Sequence, residues 1–406
     1  MRFELKVDAV VERVRAKVKG AVLAWARESA AYSVDDAAKR VNTTPERLAS
    51  WEADEAAPTI NQLRLLAQAY KRPLSVFYLQ EVPAKFMVMK DFRRLPGAGG
   101  RHTTPQLAYE MRVAQQRRSL ALELLDDIGV AAPPFRLSAT MNDDPEQTGT
   151  VVRDALRVSY ADQTAWRQER EAFNGWRRRI EALGVLVFQA TRAPSDEVSG
   201  IAIYEDVLPV VVINKKDTVT RRTFSLLHEF VHLLIRQTGV SDLDIDADRP
   251  PEEQAIEVFC NRVAAAALMP RDRFLQEGLV TAHPANQPLW SDDEIAALAR
   301  IYGVSREAVV RRLLTFGRTT DAFYREKRAQ YGAEFAALRA REREQQKDQD
   351  FQRNPSQEAL SDFGRPFVRL VLDNYAQERI TLSDVSGYLG VRVKHVAKIE
   401  NAIGMG

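Results

Sequence analysis

Two of the five histidines in this 406-residue chain, His228 and His232, stand four positions apart with Glu229 directly after the first. At 3.6 residues per turn, that spacing puts both imidazoles on one helix face, about 40° apart. They can therefore reach one ion together. Glu229 projects one step round the same side, which suits a carboxylate that contacts a water on that ion. The surrounding period makes Arg221–Gln237 a helix, with Phe224, Leu227, Val231 and Leu234 on its buried face. Two core histidines on a buried helix would give the same five letters by coincidence. Context has to separate the two.

A catalytic zinc usually takes three protein ligands and leaves one position open. Cys260 is the only cysteine, so neither a disulfide framework nor a cysteine-based zinc knuckle can form within the chain. No histidine follows closely, since His283 lies beyond a second helix, Glu252–Met269, which Pro270 ends. The third ligand is then a carboxylate, with Glu252, Glu253 and Glu257 as candidates. Glu257 shares a helix face with Asn261, and small Ala264 and Ala265 stand behind them, as where two helices approach closely. Asp244, Asp246 and Asp248, in the acidic loop Asp242–Pro251, could hold a hard cation but read more simply as solvated.

Length suggests two or three folded units at roughly 150 residues each. Hydrophobic residues make up 45% of the chain and charged ones 28%, enough apolar matter to bury a core. No window approaches the ~18 consecutive apolar residues that cross a bilayer, so no membrane partner is expected. The start, MRFELKVDAVVERV, lacks an apolar signal core, and the expected location is cytoplasmic. The expected domains are 1–90, a helix-turn-helix; 91–184, a linker and helical segment; 185–290, a metal-binding core; 291–350, a helix-turn-helix-like segment with a charged helix; and 351–406, a C-terminal helical domain. Val185–Ala190, Gly200–Tyr204 and Val207–Ile213 are β-branched runs that read as strands. The last precedes the histidine helix and is expected at the sheet edge, where Val210, Val211 and Val212 would pair with an extended substrate.

In the first domain, Ser33, Thr44 and Thr59 are N-cap candidates for short helices, and Thr43–Trp51 is the expected recognition helix. Thr44, Arg47 and Ser50 are its candidate groove contacts. Between Ser33 and Ala57, Lys39, Arg40 and Arg47 stand against six acidic residues, a net charge of −3. An acidic reading head forfeits much of the phosphate attraction, so DNA and protein weigh equally as partners here. Over the whole chain the net charge is only +2. Asp292–Gly317 and Thr381–Asn401 repeat the helix-turn-helix pattern, the former reading as packing against the metal core rather than a DNA contact.

SGIAIYEDVLPVVVIN, RTFSLLHEFVHLLI and EVFCNRVAAAALMP, in that order, resemble the ImmA/IrrE metallopeptidases. DFRRLPG (Asp91–Gly97) and an N-terminal segment similar to an XRE-type helix-turn-helix strengthen the match, which is weakest over Arg101–Ser199. Cys260 stands where the family usually has alanine, and Val231 where glycine often precedes the second histidine.

The resemblance implies a predominantly helical α+β fold: a small mixed sheet with a gluzincin-like histidine helix, plus helix-turn-helix modules. It implies His228, His232 and Glu257 on one zinc per chain, manganese being the alternative ion, and Glu229 as general base. The oxyanion donor is open, with Tyr204, Arg221 and His283 as candidates. The function implied is a regulatory zinc endopeptidase that cleaves a specific protein, a helix-turn-helix repressor being the expected substrate class. The alternative is a DNA-binding regulator or toxin–antitoxin component whose peptidase-like domain senses or scaffolds without cutting. A third reading, a zinc hydrolase of small molecules, is disfavoured by the expected edge strand.

Overall fold

A computed structural model describes residues 15–83, 104–192, 198–241, 250–284, 287–347 and 354–404. Asp91–Gly97 and the loop aspartates Asp244, Asp246 and Asp248 lie outside the described residues. The chain divides into two compact units, Met1–Arg112 and Val113–Gly406.

In the first unit, α1 (Gly20–Glu28), α2 (Val34–Arg40), α3 (Pro45–Glu52) and α4 (Ile60–Tyr70) follow the expected pattern. Each of the last three begins where a hydroxyl satisfies a backbone donor. Ser33 accepts from the Asp36 N–H, Thr44 from Arg47, and Thr59 from Gln62 in a reciprocal capping box. Leu23, Val41, Leu48, Trp51, Leu63, Leu66 and Tyr70 close the core beneath them. Leu65 of α4 lies outside that core and is exposed. A long helix, α5 (Pro105–Asp127), follows.

In the second unit, α6 (Pro145–Ala155), α7 (Tyr160–Ala165) and α8 (Glu169–Glu181) lead into the strands β1 (Leu186–Ala190), β2 (Gly200–Ile203) and β3 (Val210–Asn214). Then come α9 (Val219–Leu234), a short strand β4 (Gly239–Ser241) and α10 (Pro251–Leu268). The sheet is mixed, with order β1-β3-β2-β4. β1 runs parallel to β3, pairing Leu186 with Val210, while β2 is antiparallel to both β3 and β4. This is the predominantly helical α+β architecture expected.

The edge assignment does not survive. Val210, Val211 and Val212 pair with β1 on one side and β2 on the other, so β3 is an interior strand. All five of its residues are buried, and an unbroken β-branched run suits a strand covered on both faces. α16 (Pro355–Phe363) lies against β1, where the Gln189 amide donates to the Ser361 carbonyl at 2.6 Å. Among the described residues, β4 carries no strand on its outer side.

α9 lies on β2 and β3, with α8 and α10 packed against it and α6 against α10. From Ser225 to Leu234 every residue of α9 is buried, so the whole turn bearing the histidines sits inside the unit. Cys260 is fully buried in this core as a free thiol.

Beyond it, α11 (Arg271–Leu275), α12 (Gly278–Ala282), α13 (Asp292–Tyr302) and α14 (Arg306–Thr315) continue the same core through Phe274, Leu298, Tyr302, Val310 and Leu313. α15 (Asp321–Lys347) buries Phe323, Tyr324 and Tyr331 early and then exposes Leu338, as its charge density predicts. The chain ends in α17 (Arg365–Ala376), α18 (Leu382–Tyr388) and α19 (Val396–Ile403). No helix among the described residues is long and apolar enough to cross a membrane.

Candidate metal centre

α9 presents His228 and His232 on one face, with ring centroids 4.9 Å apart and Nε2 atoms 3.1 Å apart. From α10, Glu257 reaches between them. Its Oε2 lies 3.3 Å from His228 Nε2 and its Oε1 3.4 Å from His232 Nε2. All three side chains are buried, and their ligand-type atoms lie within 4.8 Å of one another. Of the three carboxylates weighed, Glu257 is the one brought to the histidines. Glu252 is exposed at the start of α10, and Glu253 is half-buried there.

The tautomer is fixed from behind. His228 Nδ1 faces the Asn261 carbonyl oxygen at 2.9 Å, so that nitrogen carries the hydrogen and the Nε2 lone pair turns inward. Asn261 is one turn beyond Glu257 on α10, which is why the two share a face. Ser241, at the end of β4, brings its hydroxyl to 3.2 Å from His228 Nε2 and 3.3 Å from His232 Nε2. Nothing in the sequence singles Ser241 out; only the pairing of β4 with β2 places it there.

Electrostatics within the cluster are uneven. Burial works against the Glu257 carboxylate, but hydrogen bonds and charge from His228 and His232 outweigh it and hold the group well below the usual carboxylate range. Burial also works against a charged His228, yet Glu257 raises it above the ordinary imidazole value. For His232, burial prevails and the group is lowered. The pocket thus holds one anion, one imidazole that favours its proton and one that does not.

Glu229 is different. It is fully buried; the Ser241 hydroxyl faces it, but neither oxygen makes a well-formed hydrogen bond. Burial pushes its carboxyl up to about 8; His228 opposes the rise and Glu257 adds to it. A carboxyl without a well-formed hydrogen bond in such a place is costly unless charge or substrate completes it. Gly200 of β2 makes the space, since a Cβ there would stand 2.5 Å from Glu229 Cγ. Gly200→Ala is therefore expected to cost about 1–3 kcal/mol in denaturant unfolding, through overpacking. The Glu229→Ala background should relieve most of that cost; an equal cost in both backgrounds would place the clash elsewhere.

The donor set fits a divalent metal: two imidazoles and one carboxylate, one ring held in its ligating tautomer by Asn261, and a buried carboxylate without a well-formed hydrogen bond alongside. Residues 180–314 match the IrrE N-terminal-like domain of peptidase family M78, and residues 23–77 match a helix-turn-helix domain. The stretch similar to the IrrE N-terminal-like domain lies within the second unit. No curated protein matches the chain.

The matched stretch, 180–314, spans the sheet, the triad and both helices of the α13–α14 pair. Of the candidate oxyanion donors, Tyr204 donates to Asp206 at 2.7 Å, and His283 stacks on Trp290 while contacting Glu294 and the Gln287 carbonyl. Arg221 reaches Ser199 Oγ at 3.3 Å, next to Gly200. In the helix-turn-helix domain, Thr44 and Arg47 are exposed on α3 and Ser50 half-exposed. Two of the three hydroxyl and guanidinium groups are already engaged locally, Thr44 as N-cap and Ser50 as a donor to the Arg47 carbonyl at 2.8 Å.

Proposed function

We propose that this chain is a zinc-dependent regulatory endopeptidase that cuts one specific protein partner, with a DNA-binding repressor as the expected substrate class. The observation that carries the reading is the convergence of His228, His232 and Glu257 beside a fully buried Glu229 that makes no well-formed hydrogen bond. A structural metal site needs no such fourth group; a hydrolytic one does.

His228, His232 and Glu257 would hold the ion, with Asn261 keeping His228 in the ligating tautomer. Bound there, the ion would supply Lewis-acid polarisation of the scissile carbonyl and acidification of the attacking water. Glu229 accepts the water's proton and returns it to the leaving amine. Its carboxyl, buried beside the ligand set on the same helix, is placed to take and return that proton. Burial on all sides of the α9 turn excludes bulk water.

With β3 interior, an extended substrate would dock along the outer side of β4, whose Ser241 adjoins both imidazoles. The helix-turn-helix domain would carry the enzyme to its regulatory setting through Thr44, Arg47 and Ser50. Comparing proteomes of cells that express the wild type and Glu229→Gln is the direct test. One polypeptide should be clipped only by the wild type. Stoichiometric metal with no such difference would favour the sensing alternative.

A further inference from the structure

Shifted by 348 positions, the segments Ser33–Glu52 and Thr381–Glu400 are built alike, feature by feature. Ser33 and Thr381 are N-caps. Each accepts the backbone N–H three residues on, from Asp36 at 3.0 Å and Asp384 at 3.2 Å, and each donates to that same aspartate at 2.7 Å. Seven-residue helices follow, α2 and α18. The turn then requires a left-handed residue, Asn42 with φ 53° in one and Gly390 with φ 60° in the other. Ala37, Val41, Leu48 and Trp51 are buried, as are their counterparts Val385, Leu389, Val396 and Ile399. The first copy lies within the segment that matches a helix-turn-helix domain. The second has the same first cap, turn and buried positions, but it enters its second helix through a 3-10 turn, Val393–His395, with no side-chain cap where Thr44 stands in the first.

Where they differ is charge. The positions of Thr44, Arg47 and Ser50 are taken by Arg392, His395 and Lys398. From Thr44 to Glu52 the net charge is −1; from Arg392 to Glu400 it is +2 with His395 neutral. Arg392, Lys394 and Lys398 are exposed, and among the described residues their side chains make no hydrogen bond or ion pair. Val393 between them is 48% exposed, an apolar contact of the kind that meets a thymine methyl.

A third copy of the motif supplies a control. α13 and α14 also have a capping box, at Ser291, and a left-handed Gly303. Their second helix is consumed by packing: Val309, Val310 and Leu313 are buried, Arg306 pairs with Glu334, and Arg312 is held by Glu146 and the Met269 carbonyl. That helix has no basic face to offer.

We propose that Thr381–Ile403 is a second DNA-reading module, which lays its Val393–Ile403 segment on duplex DNA and supplies the phosphate contacts that the acidic first head lacks. The inference is independent of the peptidase chemistry. It is tested on the full chain by fluorescence anisotropy with a mixed-sequence DNA duplex over a salt series. Replacing Arg392, Lys394 and Lys398 together by glutamine should weaken binding about 10-fold or more. The slope of log K against log salt should also fall by about 2–3, roughly 0.9 for each phosphate no longer neutralised. Arg47→Gln should lower that slope by about 1 at most. Thermal midpoints should match the wild type, because the three side chains are exposed. Affinity within twofold of wild type and an unchanged slope in the triple variant would overturn the proposal. So would a wild type that binds no duplex at low salt, or that binds single-stranded RNA as tightly.

Discussion

Glu257→Gln should weaken binding of a divalent ion by a factor of about 100 or more, because even groups behind the ligands commonly contribute 10–100-fold. Glutamine keeps the shape of the side chain but removes the one anion that lies 3.3 and 3.4 Å from the two imidazoles. The measurement is the rise in unfolding free energy on adding zinc. An ion present at about 1,000 times its dissociation constant stabilises the wild type by about 4 kcal/mol, and a 100-fold loss of affinity removes about 2.7 kcal/mol of that. At pH 5, where ionisation of Glu229 costs little in either state, Glu229→Gln should keep nearly the full zinc effect, since Glu229 is not among the converging ligand atoms.

The metal-free proteins should differ as well, with a definite pH dependence. The Glu257 carboxyl is depressed in the folded state, so its stabilisation is present above the ordinary value of 4.5 and fades as pH falls through the lower, folded-state value. Unchanged zinc stabilisation in Glu257→Gln would remove the carboxylate from the site.

The parts of this protein that were legible in advance depend on local spacing. His228 and His232 had to share a face once α9 was helical, and Glu257 with Asn261 had to share one on α10. Ser33, Thr44 and Thr59 marked helix starts because an N-cap hydroxyl is a local bond, satisfied within three residues. What failed was non-local. The order β1-β3-β2-β4 is settled by pairing across tens of residues, and chain proximity of Val207–Ile213 to α9 said nothing about which strands would flank it. The unbroken run Val210–Ile213 did carry the relevant signal, since a half-exposed strand alternates and this one does not. β4 has three residues, too few for a period, and it alone accounts for Ser241 standing against both imidazoles. Gly200 stood inside a recognised strand, but its purpose emerges only where Glu229 is packed against its Cα.

The metal-free protein should lose stability as pH rises, and Glu229→Gln should abolish most of that loss. A carboxyl whose folded-state pKa lies above its unfolded value binds its proton more tightly when folded. For Glu229 the two values are about 8 and 4.5. Below 4.5 the group is neutral in both states and costs nothing by ionisation. Between 4.5 and about 8 the unfolded chain gives up a proton that the folded chain keeps, so each unit of pH favours unfolding by about 1.4 kcal/mol.

By pH 9 the accumulated cost is about 5 kcal/mol, a large share of the 5–15 kcal/mol by which ordinary domains are stable. Glutamine cannot ionise and escapes the cost. Denaturant unfolding of chelator-treated wild type and Glu229→Gln should therefore give similar free energies at pH 5 and diverge steadily toward pH 9, the variant being the more stable. Zinc should close the gap, because a dication beside Glu229 favours the carboxylate and lowers the folded-state value toward the unfolded one. Parallel pH curves without metal would mean that Glu229 ionises freely in the folded chain, and its burial without a well-formed hydrogen bond could then no longer explain its readiness to take and return a proton.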